Sequence, residues 1–133
     1  MGDPTFLTLD DVLAMHEYQI STYGGPDGIC SLDLLISALQ MPMSGTVEGF
    51  FHVDLFEMAA AYLFHISENQ PFVDGNKRTG VDAALTFLGM NDVDIDVDPL
   101  LLFDVFAAAI EQQVSKATLA SSLRDWAGAR KPV

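Results

Sequence analysis

The sequence predicts an all-α fold in a single domain spanning residues 1–133. Three observations carry that reading. Apolar residues recur three and four positions apart through most of the chain. The segments that show this period mostly open on a Ser, Thr or Asp able to cap a helix, and Gly or Pro turns separate them. Alternation is confined to Val93-Asp94-Ile95-Asp96-Val97, which reads as a short strand or an extended linker.

Thr8 is the first N-cap, with Asp11 three residues on. Leu9, Val12, Leu13, His16 and Ile20 then form one helix face up to Gly24-Gly25. Residues 23–30 carry turn chemistry and read as a short turn or hairpin flap. Ser31 caps a short helix with Leu32, Leu35, Ile36 and Leu39 inward, ended by Pro42. Residues 43–53 read as a loop, with Phe50 and Phe51 packing onto the body. Asp54 and Glu57 open the next helix as a capping box, and Leu55, Met58, Ala59, Tyr62, Leu63 and Ile66 give it a broad apolar face. It ends near Asn69, and Pro71 makes Gln70 extended. Val81, Ala84, Leu85 and Leu88 mark a second core helix, so the two form a central hairpin with a loop at its tip. Asp98-Pro99 starts a helix with Leu102, Val105, Phe106, Ala109 and Ile110 inward. A last helix, about Ser115–Ala127, turns Leu119, Leu123 and Trp126 to the core.

Composition narrows the function classes. A chain of 133 residues buries roughly two thirds of its unfolded surface, enough for a core without disulfides or structural metal. The lone Cys30 has no disulfide partner and no cationic neighbour, so it reads as a buried small side chain in a reducing, cytoplasmic setting. The N-terminus lacks a signal-peptide layout, and no apolar run approaches the ~18 residues of a membrane span. The net charge is −13, from 19 acidic and 6 basic residues, which argues against direct nucleic-acid binding because phosphates are met with Lys and Arg.

Two of those six cations, Lys77 and Arg78, are adjacent in the run Gln70-Pro71-Phe72-Val73-Asp74-Gly75-Asn76-Lys77-Arg78-Thr79-Gly80. A helix starting after Gly75-Asn76 aims unpaired N–H groups and the positive end of its dipole at the loop mouth. Gly75 leaves the backbone open to an anion, Asn76 orients the loop, Lys77 supplies a point charge and Arg78 a planar fork for two phosphate oxygens. Asp74 would repel phosphate unless magnesium bridges the two. The parts together suit a magnesium–nucleoside phosphate. The same residues also suit a tight helix-to-helix turn capped by Asp74, and composition alone leaves both readings open.

The loop resembles the signature of the Fic/Doc family, His-Pro-Phe-x-Asp-Gly-Asn-Lys-Arg-Thr. The likeness extends to Leu7-Thr8-Leu9-Asp10-Asp11-Val12-Leu13 with His16, to Tyr23-Gly24-Gly25 with Gly28-Ile29, and to Leu34-Leu35 with Ser37-Ala38-Leu39. It continues in Asp54-Leu55-Phe56-Glu57 and Ala60-Ala61-Tyr62-Leu63. The resemblance implies a compact helical bundle of that type, and within it the Doc (death-on-curing) branch. Doc-type members are toxins of toxin–antitoxin pairs, associated with prophage maintenance. They transfer phosphate from magnesium–ATP to a hydroxyl of a translation elongation factor, and a cognate antitoxin covers the groove. Carried over, Asp74 would hold magnesium, while Phe72, Gly75, Asn76, Lys77, Arg78 and Thr79 would hold the nucleotide. AMP-transferring relatives have a second arginine where this chain has Val81, and a glycine where it has Lys77, so phosphate transfer is favoured.

Gln70 stands where the family has its catalytic histidine. An amide cannot take the proton that a hydroxyl loses as it attacks phosphorus. Losing a general base typically costs about 10² to 10⁴ in rate, whereas positioning and charge neutralisation survive. The sequence therefore reads as a kinase-type toxin that is inactive or attenuated. The alternatives are a non-catalytic binding protein of the same fold and, more remotely, an AMP-transferring enzyme. His65, five positions upstream, is a candidate for a substitute base, against its reading as a hydrogen-bonded core residue; Glu68 is closer in sequence but reads as solvated near the helix end. Cys30, Ile36 and Met41 stand where Doc relatives often carry charge, which raises the possibility of an exposed apolar contact patch.

Overall fold

The computed structural model describes residues 3–129. Six helices run in the order α1 (Leu9–Tyr23), α2 (Leu32–Gln40), α3 (Leu55–Asn69), α4 (Asn76–Met90), α5 (Pro99–Glu111) and α6 (Lys116–Ala129). Between α2 and α3 lies a two-stranded hairpin, β1 (Gly45–Thr46) and β2 (Gly49–Phe50), paired Gly45 to Phe50 and Thr46 to Gly49. The fold is all-α, as the sequence predicts.

The α3–α4 pair is the centre. α3 buries Met58 to Leu63, Ile66 and Ser67, and packs against α2 and α6 as well as α4. The outer face of α4 is covered by α1 and α5. This burial all round explains why α3 reads as broadly apolar rather than as a narrow stripe. Tyr62 and Phe87 meet at 5.2 Å between ring centroids, and Phe6 stacks on Phe87 at 5.8 Å. Fully burying a side chain such as Phe87 is worth about 1.5–3 kcal/mol. The Tyr62 hydroxyl accepts from Leu7 N at 3.0 Å, and burial pushes its pKa up to about 12. Asn91 clasps the same N-terminal segment, accepting from Thr5 N and donating to Thr5 O. Among the described residues no helix is long and apolar enough to cross a membrane.

Several local expectations change. Residues 23–30 do not make a hairpin; the turn is there, but the segment 28–31 runs beside the loop after α3 instead. The hairpin lies in the expected loop 43–53, and Phe51 in that segment is exposed while Phe50 packs on Phe6. Val93–Val97 is no strand, which leaves the linker reading of that segment in place. Leu32, Ile36 and Val105 face solvent, because the inward faces of α2 and α5 are set by Leu35, Ala38 and Leu39, and by Leu102, Phe106 and Ile110. Cys30 is exposed, since it belongs to the flap segment and not to α2. Gln70 is left-handed, at φ 47 and ψ 56, rather than extended; its N–H closes the last turn of α3 on Ile66 O.

Candidate active-site loop

The loop of residues 70–75 joins α3 to α4 and is held from below. The Phe72 side chain is buried and stacks on the His16 ring, centroids 3.7 Å apart and planes within 6°. His16, itself buried on α1, donates from Nε2 to Asp74 O at 2.8 Å. Asn76 returns to the loop: its Oδ1 accepts from Phe72 N and its Nδ2 donates to Phe72 O, both at 3.0 Å. Those two bonds make Asn76 the loop's internal brace. The flap segment closes the outer side, with Cys30 N donating to Pro71 O at 2.7 Å and Val73 N to Gly28 O at 3.0 Å.

Above this frame is a cleft of about 340 Å³ whose lining includes Ser67, Gln70, Asp74, Lys77, Arg78 and Phe103. Gly75 stands at the N-cap of α4 with φ 78 and offers no side-chain cap. Elsewhere the caps are filled: Thr8, Ser31, Asp54, Asp98 and Ser115 each accept a backbone N–H at the start of their helices. The first N–H groups of α4 are thus left for something in the cleft. Ser67 Oγ is buried in the same wall and has no hydrogen-bond partner among the described residues. A buried polar oxygen normally has a partner, so this one marks a place for a ligand or water.

The charged residues are not equally free. Arg78 is gripped between two rings, its guanidinium carbon 5.0 Å from the Tyr23 centroid and 5.2 Å from that of Phe103. Such a grip fixes the plane of the fork without consuming its donors. Lys77 forms an ion pair with Glu111 at the end of α5. Asp74 Oδ1 accepts from Gly75 N at 2.9 Å, and its Oδ2 lies where a side chain on Gly25 would be. Asp74 is the one carboxylate among the described residues lining the cleft, and no cluster of three or more His, Cys, Asp or Glu there could hold a metal alone. Magnesium asks for less: one or two carboxylates, with water and substrate oxygens completing the shell. A single outward Asp beside an anion site fits it.

The structure therefore gathers Gln70, Asp74, Gly75, Asn76, Lys77 and Arg78 at one cleft. Phe72 and Thr79 are buried and do not line the cleft; Phe72 packs into the frame, while Thr79 Oγ1 has no hydrogen-bond partner among the described residues. His65 does not line the cleft; its Nε2 accepts from Lys116 at 3.0 Å, and burial foremost, then Lys116, lowers its pKa to about 4. It is not placed to replace a base. Sequence reasoning missed His16, Gly25, Ser67 and Phe103 as parts of the site. His16 left a trace as a polar residue on the apolar stripe of α1, and Gly25 as part of the turn after it.

A second groove meets the first at Arg78 and Phe103. It measures about 370 Å³ and is walled by α1, α4 and α5 through Tyr18, Tyr23, Leu85 and Leu100, among others.

Residues 6–88 match the model of the Fic/DOC family. The chain is 32% identical over 118 residues to "Protein kinase doc" of Escherichia phage P1, covering 86% of this chain and 90% of that protein. It is 34% identical over 100 residues to "Toxin Doc" of Mycolicibacterium smegmatis, covering 75% of this chain and 72% of that protein. With its loop, its uncapped α4 and these relatives in agreement, the chain belongs to the Fic/DOC family.

Proposed function

We propose that the chain is a Doc-type toxin which binds magnesium–ATP in the loop cleft and transfers phosphate, in attenuated form, to a hydroxyl of a cytoplasmic protein of the translation elongation factor class. The observation that carries the reading is the uncapped N-terminus of α4 opening onto a cleft with Arg78 and the unpartnered Ser67. The relatives' names, one a protein kinase and one a toxin, support the reaction class and the biological setting.

The residues divide the work. Backbone N–H groups of α4 and the Arg78 fork hold phosphate oxygens, where preorganised positive charge matters most for phosphoryl transfer. Lys77 joins them when Glu111 releases it. Asp74 would hold magnesium, which would supply charge neutralisation at the phosphates. Gln70, exposed at the cleft rim, can orient the incoming hydroxyl through its carbonyl but cannot take its proton. Val81, where AMP-transferring relatives carry a second arginine, is buried and apolar, which supports transfer of the terminal phosphate. The groove of α1, α4 and α5 suits an antitoxin segment because it adjoins the cleft and shares Arg78 with it.

The test uses ATP labelled on the γ- or the α-phosphate, with magnesium and bacterial lysate, for the chain and for Gln70→His. Gln70→His should transfer γ-label about 10² to 10⁴ times faster than the unaltered chain. Transfer of α-label would replace phosphate by AMP transfer. Absence of transfer by both, with ATP still bound in calorimetry, would favour the second reading, a nucleotide-binding protein without chemistry, which Gln70 itself recommends.

A further inference from the structure

The wall that α3 gives to the loop cleft carries a hydroxyl for which the fold provides no partner. Ser67, in the last turn of α3, is 4% exposed, and its Oγ has no hydrogen-bond partner among the described residues. A serine inside a helix commonly returns its hydroxyl to the carbonyl four residues back, which here is Leu63 O, and Ser67 makes no such bond. Across from it α4 presents Gly80, where a Cβ would stand 3.1 Å from both Ser67 Oγ and Leu63 O. The two helices meet closely at this hydroxyl, and the glycine leaves it room.

Packing does not account for the serine. Where α3 needs small buried side chains it has Ala59, Ala60 and Ala61. Alanine at position 67 would fill nearly the same space, with better helix propensity and no hydroxyl to desolvate. A buried hydroxyl left unpaired destabilises the empty protein, so its partner is to be sought outside the fold. Ser67 and Gln70 are three residues apart, hence neighbours at the end of α3, and both line the cleft with Arg78. The uncapped first turn of α4 opens on the same space. An anionic oxygen there would meet N–H groups of α4 on one side and a hydroxyl of α3 on the other. Glu68, next to Ser67, lines a different cavity, so its carboxylate does not oppose an anion in the cleft.

Resting on the reading that the cleft takes magnesium–ATP, we propose that Ser67 is a phosphate-binding residue that selects the nucleoside triphosphate, its Oγ–H donating to an oxygen of the terminal phosphate. In that reading Gln70 marks where the incoming hydroxyl arrives, and the phosphate nearest that point is the one transferred. Ser67 borders the cleft, and a change of χ1 between staggered positions brings its hydroxyl to the ligand. A diphosphate lacks the oxygen concerned and leaves Ser67 as unpaired as it is in the empty protein.

Calorimetry of the full chain with magnesium–ATP and with magnesium–ADP tests this, beside Ser67→Ala and Ser67→Cys. Ser67→Ala should weaken ATP about tenfold, as loss of a hydrogen bond to a charged group does, and ADP by less than about twofold. Ser67→Cys keeps the shape but offers only a weak donor, and should lose the preference for ATP in the same direction. The ligand-free Ser67→Ala chain should melt at or above the temperature of the unaltered chain, because an unpaired buried hydroxyl is gone. Equal ATP affinity with and without the hydroxyl overturns the proposal and leaves the nucleotide site standing. Equal losses for ATP and ADP overturn it as well. So does a Ser67→Ala chain that melts lower, since the hydroxyl then serves the fold or a buried water. Failure of ATP to bind the unaltered chain removes the proposal together with the reading it rests on.

Discussion

Gly25 and Asp74 are 49 positions apart and depend on each other. Gly25 sits at φ 110, and a methyl group there would collide with Asp74 Oδ2. Gly25→Ala should cost about 1–2 kcal/mol in urea unfolding, from the left-handed backbone. It should also lower magnesium-dependent ATP affinity about tenfold by pushing the carboxylate aside, while magnesium-independent affinity holds. Equal affinity with and without the methyl, read by calorimetry, would detach Asp74 from the metal. At this scale the sequence was legible where the chemistry is contiguous. Asp74, Gly75, Asn76, Lys77 and Arg78 are one run, so their convergence needed no folding argument. His16, Ser67 and Phe103 reach the loop from three other helices, and spacing carries no record of such contacts. Gln70 shows the limit from the other side. The proline after it argued for an extended residue, but closing α3 on Ile66 O required a left-handed one.

Helix starts were the most legible elements, because a cap is a local contract between residues three apart. Thr8 and Asp11 form the full capping box. At α3 the box is half made: Asp54 accepts from Glu57 N at 2.8 Å, but the Glu57 carboxylate turns to Val53 N. Asp54 has a second task, holding Arg124 of α6. Asp54→Ala should cost about 1–2 kcal/mol, whereas Asp54→Asn should cost under ~1 kcal/mol, since Asn caps as well and an exposed ion pair adds little. Denaturant midpoints for the two variants separate cap from charge, and equal losses would assign the effect to Arg124. Helix faces were less legible than starts. Leu32 and Ile36 fit the period of α2 as well as Ala38 does, and only the position of α3 decides which side is covered. Ile29, Leu32, Leu34 and Ile36 remain exposed as a result.

Across the molecule, acid should loosen the α3–α6 contact before the loop. His65 titrates near 4 when folded and His52 is also lowered, against 6.5 when unfolded. Below pH 6.5 the unfolded chain therefore binds more protons. Stability is at its full value above that pH and falls as pH drops towards 4. His65→Ala should flatten this slope between pH 6.5 and 4 in urea titrations, and an unchanged slope would move the proton uptake elsewhere. The grip of Tyr23 and Phe103 on Arg78 has another molecule-wide consequence. The same guanidinium borders the loop cleft and the α1–α4–α5 groove. Two occupants that each demand a different pose of one side chain are thermodynamically linked, and linkage is reciprocal. If filling the groove weakens ATP by some factor, ATP weakens the groove's occupant by that same factor. Nucleotide supply would then set how tightly the chain is restrained, with no motion larger than a side chain's swing.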